Sequence, residues 1–111
     1  MDGIQYKMGW LLVAFDLPVG TKEQRKRATD FRKFLLEDGF QMLQLSVYAR
    51  PLVSYARMET HIRRIKAGVP EEGSVRAMFI TQAQWEKSFI IHGSPAKKLP
   101  AEQLPRQLEL W

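Results

Sequence analysis

Residues 9–24, GWLLVAFDLPVGTKEQ, join an apolar segment to a helix start across a short loop. The segment is almost entirely apolar up to Asp16 and then meets the breakers of the loop 17–20 (LPVG), which predicts a strand buried on both faces. Thr21 and Gln24 have the spacing of an N-cap hydroxyl and an N3 amide that satisfy free backbone N–H groups reciprocally. The sequence therefore predicts a buried strand followed directly by a helix.

The first predicted helix has an apolar face and a defined end. Ala28, Phe31 and Leu35 recur at helical spacing, and the pair Asp38-Gly39 supplies a left-handed stop. We expect this helix to cover a sheet. Residues 40–51 are rich in strand-forming side chains but too long for one flat strand, so they predict two short strands with a bend at residues 44–46 (QLS).

The second half of the sequence predicts another helix and further strands. Ser54 is placed to cap a helix that ends at residues 68–70 (GVP). The predicted core face of this helix consists of Tyr55, Met58, Ile62 and Ile65. After it we expect a strand at Val75–Ile80, one helical turn within residues 81–87, and a last short strand at residues 88–92 (SFIIH).

These elements give the order βαββαβ with an additional C-terminal strand. Two helices returning over one face of an antiparallel sheet form the α+β ferredoxin-like arrangement. We expect this domain to occupy residues 1–93. Residues 94–111 are polar and interrupted by Pro95, Pro100 and Pro105, which predicts a tail that is extended or disordered.

Composition narrows the functional classes. The chain has 111 residues, 45% of them hydrophobic, which is enough for one compact domain. A formal net charge of +5 favours a polyanionic partner such as nucleic acid. Cysteine is absent, which excludes disulfides, thiolate zinc sites and a cysteine nucleophile. The apolar run 10–15 is too short to span a bilayer and no signal sequence is evident, so we expect a cytoplasmic protein without membrane partners.

Asp16 is the candidate catalytic residue and metal ligand, because it is an acidic residue at the carboxyl end of a buried strand. The alternative is an Asp that only caps the following turn. One carboxylate holds Mg²⁺ weakly, since the ion needs several oxygen ligands. A two-fold axis near the end of this strand would bring two copies of Asp16 together and supply the paired carboxylates of metal-assisted hydrolysis.

Cationic side chains follow the solvent side of the first helix. Several cations along one surface suit contacts with a phosphate backbone without base readout, although each residue could equally belong to a solvated face. The predicted nucleic-acid-binding residues of this helix are Lys22, Arg25, Lys26, Arg32 and Lys33. His61 and His92 have no partner at ligand spacing, so we expect structural or surface roles for both.

Segments of this chain resemble the small CRISPR-associated Cas-two family. The resemblance is carried by residues 12–18 (LVAFDLP), by the basic first helix with its end at residues 35–39, and by residues 39–41 (GFQ) leading to 44–48 (QLSVY). It implies a ferredoxin-like homodimer in which Asp16 faces its mate across the two-fold axis. It also implies cleavage of RNA or DNA that depends on Mg²⁺, with Mn²⁺ as an alternative metal, in some members of the family.

The resemblance further implies partners. Family members bridge dimers of the Cas-one integrase and hold the duplex DNA prespacer that is inserted as a new spacer, a task in which the carboxylate is often dispensable. Many members have Arg where this chain has Gln41, and Phe is usual where it has Tyr48. Arg50 could replace the missing cation, and Ser46 could contact a phosphate. The chain looks most similar to the form that accompanies Cas-nine (type II) systems.

Three hypotheses follow. The first is a metal-dependent endonuclease, acting on RNA or DNA, with Asp16 from both protomers at the metal. The second is a purely non-catalytic adaptor that grips duplex DNA through the basic helix and docks on the integrase through the tail. A remote third is a ferredoxin-like sensor of a small molecule, which leaves the basic helix without a use.

Overall fold

The computed structural model describes residues 8–93. Residues 1–7 and the predicted tail at 94–111 lie outside the described residues. The elements in chain order are β1 (Gly9–Asp16), α1 (Lys22–Glu37), β2 (Gln41–Gln44), β3 (Val47–Leu52), a 3₁₀ turn (Tyr55–Arg57), α2 (Met58–Gly68), β4 (Ser74–Thr81) and α3 (Gln82–Glu86).

The strands form one antiparallel sheet in the order β2-β3-β1-β4. β1 is therefore a central strand, hydrogen-bonded to β3 on one side and to β4 on the other. Both long helices pack on the same face of this sheet, because their buried residues join one hydrophobic cluster with β1 and β3. This confirms the predicted α+β ferredoxin-like fold.

Alternate residues of β1 build the core. Leu11, Val13 and Phe15 are buried against the helices, and the ring of Phe15 meets the ring of Phe31 from α1 edge-on at a centroid distance of 5.2 Å. Successive strand residues point to opposite sides, so only the odd-numbered residues of β1 reach this core. The strand thus fixes which of its side chains are left for the other face.

The predicted start and end of α1 are confirmed. The Thr21 hydroxyl accepts a hydrogen bond from the Gln24 backbone N–H, while the Gln24 side chain accepts one from the Thr21 N–H. Gly39 has φ +92°, the left-handed conformation that ends the helix, and a Cβ there would stand 2.7 Å from the Arg50 guanidinium. Arg50 donates to the carbonyl of Asp38, so glycine is required for this close approach.

The predicted pair of strands after α1 is also confirmed. β2 and β3 are joined by a turn at Leu45 and Ser46, and their register is irregular between Met42 and Gln44. The turn and the irregular register explain how residues 40–51, which are rich in strand-forming side chains, form two short strands instead of one long strand.

The second helix begins later than the sequence predicted. The Ser54 side chain makes no capping hydrogen bond, and a 3₁₀ turn intervenes before α2 starts at Met58. Tyr55 consequently stays partly exposed and meets Phe79 edge-on, whereas Ile65 is buried as expected. His61, for which we predicted a structural or surface role, is buried and its Nδ1 lies 2.8 Å from a carboxylate oxygen of Asp38.

The other face of the sheet, here called the open face, is not covered by the long helices. It carries Trp10, Leu12, Ala14 and Asp16 of β1, of which the first three are half-buried and the last is exposed. The prediction that this strand is buried on both faces is therefore wrong for the described residues. A continuous apolar run cannot reveal whether its second face meets another layer of the same chain.

One end of the open face is covered by α3, the predicted helical turn. Thr81 and Gln84 form its capping box. The Trp85 ring stacks on Trp10 at a centroid distance of 4.1 Å, and Trp10 Nε1 donates to the Gln82 side chain at 3.0 Å. These contacts cover the end of the open face near Gly9 and leave the end near Asp16 uncovered.

The additional strand predicted at residues 88–92 is not present in the described structure. Residues 88–93 have no regular secondary structure, and the side chains of Phe89 and Ile91 are 74% and 86% exposed. A short apolar run such as residues 89–91 favours a strand, but a strand also needs a neighbouring edge to pair with. Neither edge strand of the sheet, β2 or β4, pairs with this segment in the described part of the chain.

Adjacent leucines of α1 test the assignment of its buried face. Leu35 is 0% exposed and Leu36 is 53% exposed. We expect Leu35→Ala to lower the free energy of unfolding by about 2–5 kcal/mol, because it leaves a cavity in the core. Leu36→Ala removes the same atoms from a solvated position and should cost at most about 0.5 kcal/mol. Urea unfolding of both variants at one protein concentration measures this, and equal losses would contradict the assigned face.

Candidate nucleic-acid interface and strand-end carboxylate

Asp16 is the last residue of the central strand and its side chain is exposed on the open face. No hydrogen bond or ion pair to this carboxylate is found within residues 8–93, including from the loop that follows it. Asp30 and Asp38 differ, since each binds a cationic side chain. The turn-capping alternative for Asp16 therefore has no support in the contacts of the described chain.

Two polar residues missed by the sequence analysis flank Asp16. Strand register pairs Asp16 with Ser74 and Ala14 with Arg76, and paired residues of an antiparallel ladder share a face. Ser74 and Arg76 thus lie on the open face beside the carboxylate, and together they line an open groove of about 600 Å³. The alternation of polar and apolar residues in β4 was a signal for a solvated face, but sequence alone does not reveal that β4 pairs with β1 in this register.

Residues 8–93 of a single chain do not supply a complete Mg²⁺ site at this position. Among the residues that the structure describes, Asp16 is the only acidic one lining the groove, and the Arg76 cation lines it as well. Within the described residues no group of three His, Cys, Asp or Glu side chains is placed to hold a metal ion. Mg²⁺ prefers octahedral oxygen ligands, so a site here requires a second carboxylate from outside the described residues.

The cations of α1 lie on the opposite side of the molecule from the open face, because α1 covers the other face of the sheet. Lys22 and Lys33 are exposed, and their side-chain ammonium groups make no hydrogen bond or ion pair to residues 8–93. Lys26 binds Asp30 at 2.9 Å, and Arg25 reaches the carbonyls of the preceding loop at 3.3 and 3.4 Å. All four remain solvent-accessible, so their predicted phosphate contacts are sterically open.

The remaining predicted nucleic-acid-binding residues are partly buried, and two of them make hydrogen bonds within the chain. Arg32 is half-buried near Tyr48, and its Nε is enclosed without a hydrogen-bond partner in the described structure. Arg50 donates to the backbone carbonyls of Asp38 and Pro51, which gives it a role at the end of α1. Ser46 lies in the turn between β2 and β3, where its carbonyl accepts the Phe15 N–H at 3.0 Å.

Two of the predicted nucleic-acid-binding residues, Ser46 and Lys22, lie near the end of β1 that carries Asp16. Ser46 lies beside the end of β1 through its bond to Phe15, and Lys22 begins α1 directly after the short loop that follows Asp16. Lys33 lies about 16 Å farther along the helix, at 1.5 Å per residue. The structure therefore separates an acidic strand end from a basic helix surface that extends away from it.

The residues 8–88 match the family model described as CRISPR associated protein Cas2. The chain belongs to this family, the Cas-two family. It is 42% identical over 106 residues to the CRISPR-associated endoribonuclease Cas2 of Paracidovorax avenae, covering 96% of each chain. It is 43% identical over 102 residues to the protein of the same name from Parvibaculum lavamentivorans, covering 92% of this chain and 99% of the relative.

A solved structure supports the same assignment. The crystal structure of Streptococcus pyogenes Cas2 at pH 6.5 superposes with a TM-score of 0.59 and 25% identity, covering 76% of this chain and 99% of that one. The Cas2 fold is thus shared over nearly all of the solved chain. Within residues 8–93, no helix is both long and apolar enough to cross a membrane.

Tyr48, at a position where the resemblance led us to expect Phe, provides a test of the packing around Arg32. Burial raises the pKa of the Tyr48 hydroxyl above its usual 10.0, and the Arg32 charge offsets this only in part. The unfolded chain therefore releases this proton at a lower pH than the folded chain. The stability that Tyr48 contributes is fully present below about pH 10 and is lost as the pH rises further.

We expect Tyr48→Phe to reduce the fall in the free energy of unfolding between pH 9 and pH 11, measured by urea unfolding. The matched variant Tyr55→Phe alters a partly exposed ring that packs against Phe79 of β4, and it should retain the fall. An identical pH dependence for both variants would show that Tyr48 is not the buried phenol responsible.

Proposed function

We propose that this Cas2 protein acts in CRISPR adaptation as a homodimer that binds duplex DNA, with a pair of Asp16 carboxylates at its two-fold axis. The observation that carries the proposal is the position of Asp16, which has no partner among residues 8–93, at the uncovered end of a largely apolar sheet face. The family membership supports the pathway, and the contacts described above support the arrangement.

The open face supports the dimer. Beyond the end covered by α3 it presents Leu12, Ala14, Val47 and Met78, which are apolar and at least partly exposed. Strand register places these residues side by side on β1, β3 and β4. Burying them against the same patch of a second copy removes apolar surface from water in a closed two-fold contact. Because α3 occupies the far end, that contact lies toward Asp16 and brings the two carboxylates near each other.

The two Asp16 carboxylates would be the protein ligands of Mg²⁺, or of Mn²⁺, which accepts the same oxygen ligands. A metal ion bound there would act as a Lewis acid on a phosphoryl oxygen and lower the pKa of bound water. The strand end holds each carboxylate at a fixed position, and the apolar contact between copies determines how close the pair comes. The names of the relatives, CRISPR-associated endoribonuclease Cas2, support cleavage of phosphodiester bonds in RNA. DNA is the alternative substrate that the family resemblance implies.

Duplex DNA is the proposed nucleic-acid partner of the basic α1 surface. Lys22, Arg25, Lys26 and Lys33 are solvent-accessible along a helix about 24 Å long, at 1.5 Å per residue. Cations spread along such a surface suit the repeating phosphates of a prespacer and carry no base specificity. In a dimer the two α1 surfaces face outward, which leaves them free while the Cas-one integrase is bridged through other surfaces, including the predicted tail.

A second candidate is the non-catalytic adaptor. Two features favour it: residues 8–93 of one chain place a single carboxylate in the groove, and the neighbouring Arg76 cation opposes the accumulation of positive charge that a metal brings. In this case Asp16 contributes to the dimer or to DNA placement without cleavage.

Substitution of Asp16 separates the two candidates. We expect Asp16→Asn to preserve the dimer mass and the duplex affinity, because the side chain is exposed and keeps its shape. Mg²⁺-dependent cleavage of RNA or DNA should fall at least 100-fold if the carboxylate pair holds the metal. The control Asp30→Asn removes an exposed carboxylate from α1 and should leave cleavage unchanged.

Spacer insertion by the complete adaptation machinery is measured with the same variants. Insertion that survives Asp16→Asn assigns the protein to the adaptor candidate. Insertion that fails with an intact dimer makes the paired carboxylates necessary. Cleavage by Asp16→Asn at the wild-type rate would exclude Asp16 as the catalytic residue.

The basic surface makes a separate prediction. Released counterions drive phosphate contacts, so Lys22→Gln combined with Lys33→Gln should weaken duplex binding. The slope of the logarithm of the binding constant against the logarithm of the salt concentration should become less steep by about 1 per lost contact. The control pair Arg57→Gln with Lys66→Gln removes the same net charge from the α2 region. Fluorescence anisotropy at several salt concentrations measures both. Equal slopes for the two double variants would contradict the assignment to α1.

We also propose that the chain is the form of Cas2 that accompanies Cas-nine (type II) systems. Support comes from the segments FDLP and SVY and from the short helical turn α3 after β4, which the structure contains. A gene for a Cas-nine effector adjacent to the gene for this chain is the expected observation, and an adjacent multisubunit effector would exclude the type II form.

A further inference from the structure

Arg76 lies next to Asp16 on the open face, although the two are far apart in sequence. Asp16 pairs with Ser74 in the ladder, and Arg76 is two residues farther along β4 on the same face. Diagonal neighbours of this kind have Cα atoms about 7 Å apart. An arginine side chain can cover that distance, so an ion pair between Arg76 and Asp16 is within reach.

Neither charge is paired within residues 8–93. Elsewhere the chain does pair arginines with nearby carboxylates: Arg27 binds Glu72 at 2.8 Å, and Arg64 binds Asp38 at 2.5 Å. The Arg76 guanidinium makes no hydrogen bond or ion pair to any described residue. Both charges at this end of the sheet are therefore available to a group from outside residues 8–93.

The surroundings of Arg76 favour a ligand that enters from the side. The groove of about 600 Å³ is lined by Ala14, Phe15, Asp16, Ser74, Val75 and Arg76. β4 is an edge strand, and no other described strand covers its outer side. A linear ligand can thus pass along this edge, with the Arg76 side chain on its path and Asp16 beside it.

We infer that Arg76 binds a backbone phosphate of the nucleic acid held at the Asp16 site, with the Ser74 hydroxyl as a neighbouring donor. The inference rests on the proposed function and holds for both of its candidates. A lone carboxylate repels a polyanion, and Arg76 cancels that charge while its planar fork matches two phosphate oxygens. Arg76 is thus a phosphate-positioning residue that brings the strand through the groove.

Charge-matched variants test this inference. Arg76→Gln should remain dimeric and lose about 5- to 20-fold in duplex affinity at moderate salt, with a shallower salt dependence. Arg76→Lys keeps the charge without the fork and should recover part of the affinity. The control Arg57→Gln removes one cation from the helix side of the sheet and should lose less than 2-fold.

The outcomes are distinguishable. Wild-type protein that binds neither duplex DNA nor RNA would overturn the proposed function together with this inference. Binding by the wild type with equal affinities for Arg76→Gln and Arg57→Gln overturns only the role of Arg76. A shift of Arg76→Gln to monomer in sedimentation experiments would assign Arg76 to a contact with the second copy, for example its Asp16, and would also overturn phosphate binding.

Crosslinking provides a readout of position rather than of affinity. The chain has no cysteine, so Ser74→Cys introduces a single thiol into the groove. A duplex carrying a thiol-reactive group on one backbone phosphate should crosslink to Ser74→Cys and not to the control Thr60→Cys on α2. Adding Arg76→Gln should reduce the crosslink yield in proportion to the loss of affinity. Equal yields at the two cysteine positions would show that no phosphate is held in this groove.

Discussion

The packing of the central strand against α1 is the constraint on which the rest of the molecule depends. Phe15 and Phe31 meet edge-on in the core, and the other odd-numbered residues of β1 are buried with them. Because strand side chains alternate, this contact commits the even-numbered residues of β1 to the opposite face. The exposure of Asp16 is a consequence of that alternation, because Phe15 is the last residue of β1 that is buried in the core and Asp16 therefore points to the opposite face.

The same alternation explains why the candidate catalytic carboxylate and the cationic surface of α1 lie on different sides of the sheet. α1 buries one face of the sheet and presents its own cations outward, away from the open face. The acidic strand end, Ser74 and Arg76 are collected on the other face by the pairing of β1 with β4. A dimer formed through the open face would keep both basic helices accessible to a duplex.

Contacts within the chain also distinguish structural from available charges. Asp38 is nearly buried between His61 and Arg64, and the carbonyl of the same residue accepts from Arg50, so these groups tie the end of α1 to α2 and β3. Arg32 is partly enclosed near Tyr48. Lys22, Lys33 and Arg76 have no such partners in the region that the structure describes. A surface can bind an external polyanion when its cationic side chains have no partner within the protein, so the number of cations alone does not identify the binding surface.

The sequence by itself determined the local elements and the candidate carboxylate, because caps, breakers and periodicity act over a few residues. It predicted α1 with its Thr21 cap, the interrupted strand pair and the position of Asp16 at a strand end. Tertiary structure decided what depends on distant partners: that β1 has one open face, that Trp85 stacks on Trp10, that residues 88–92 form no strand here, and that Arg76 lies beside Asp16. Strand register and the presence of a second layer are set by residues far apart in the chain, so no local pattern contains them.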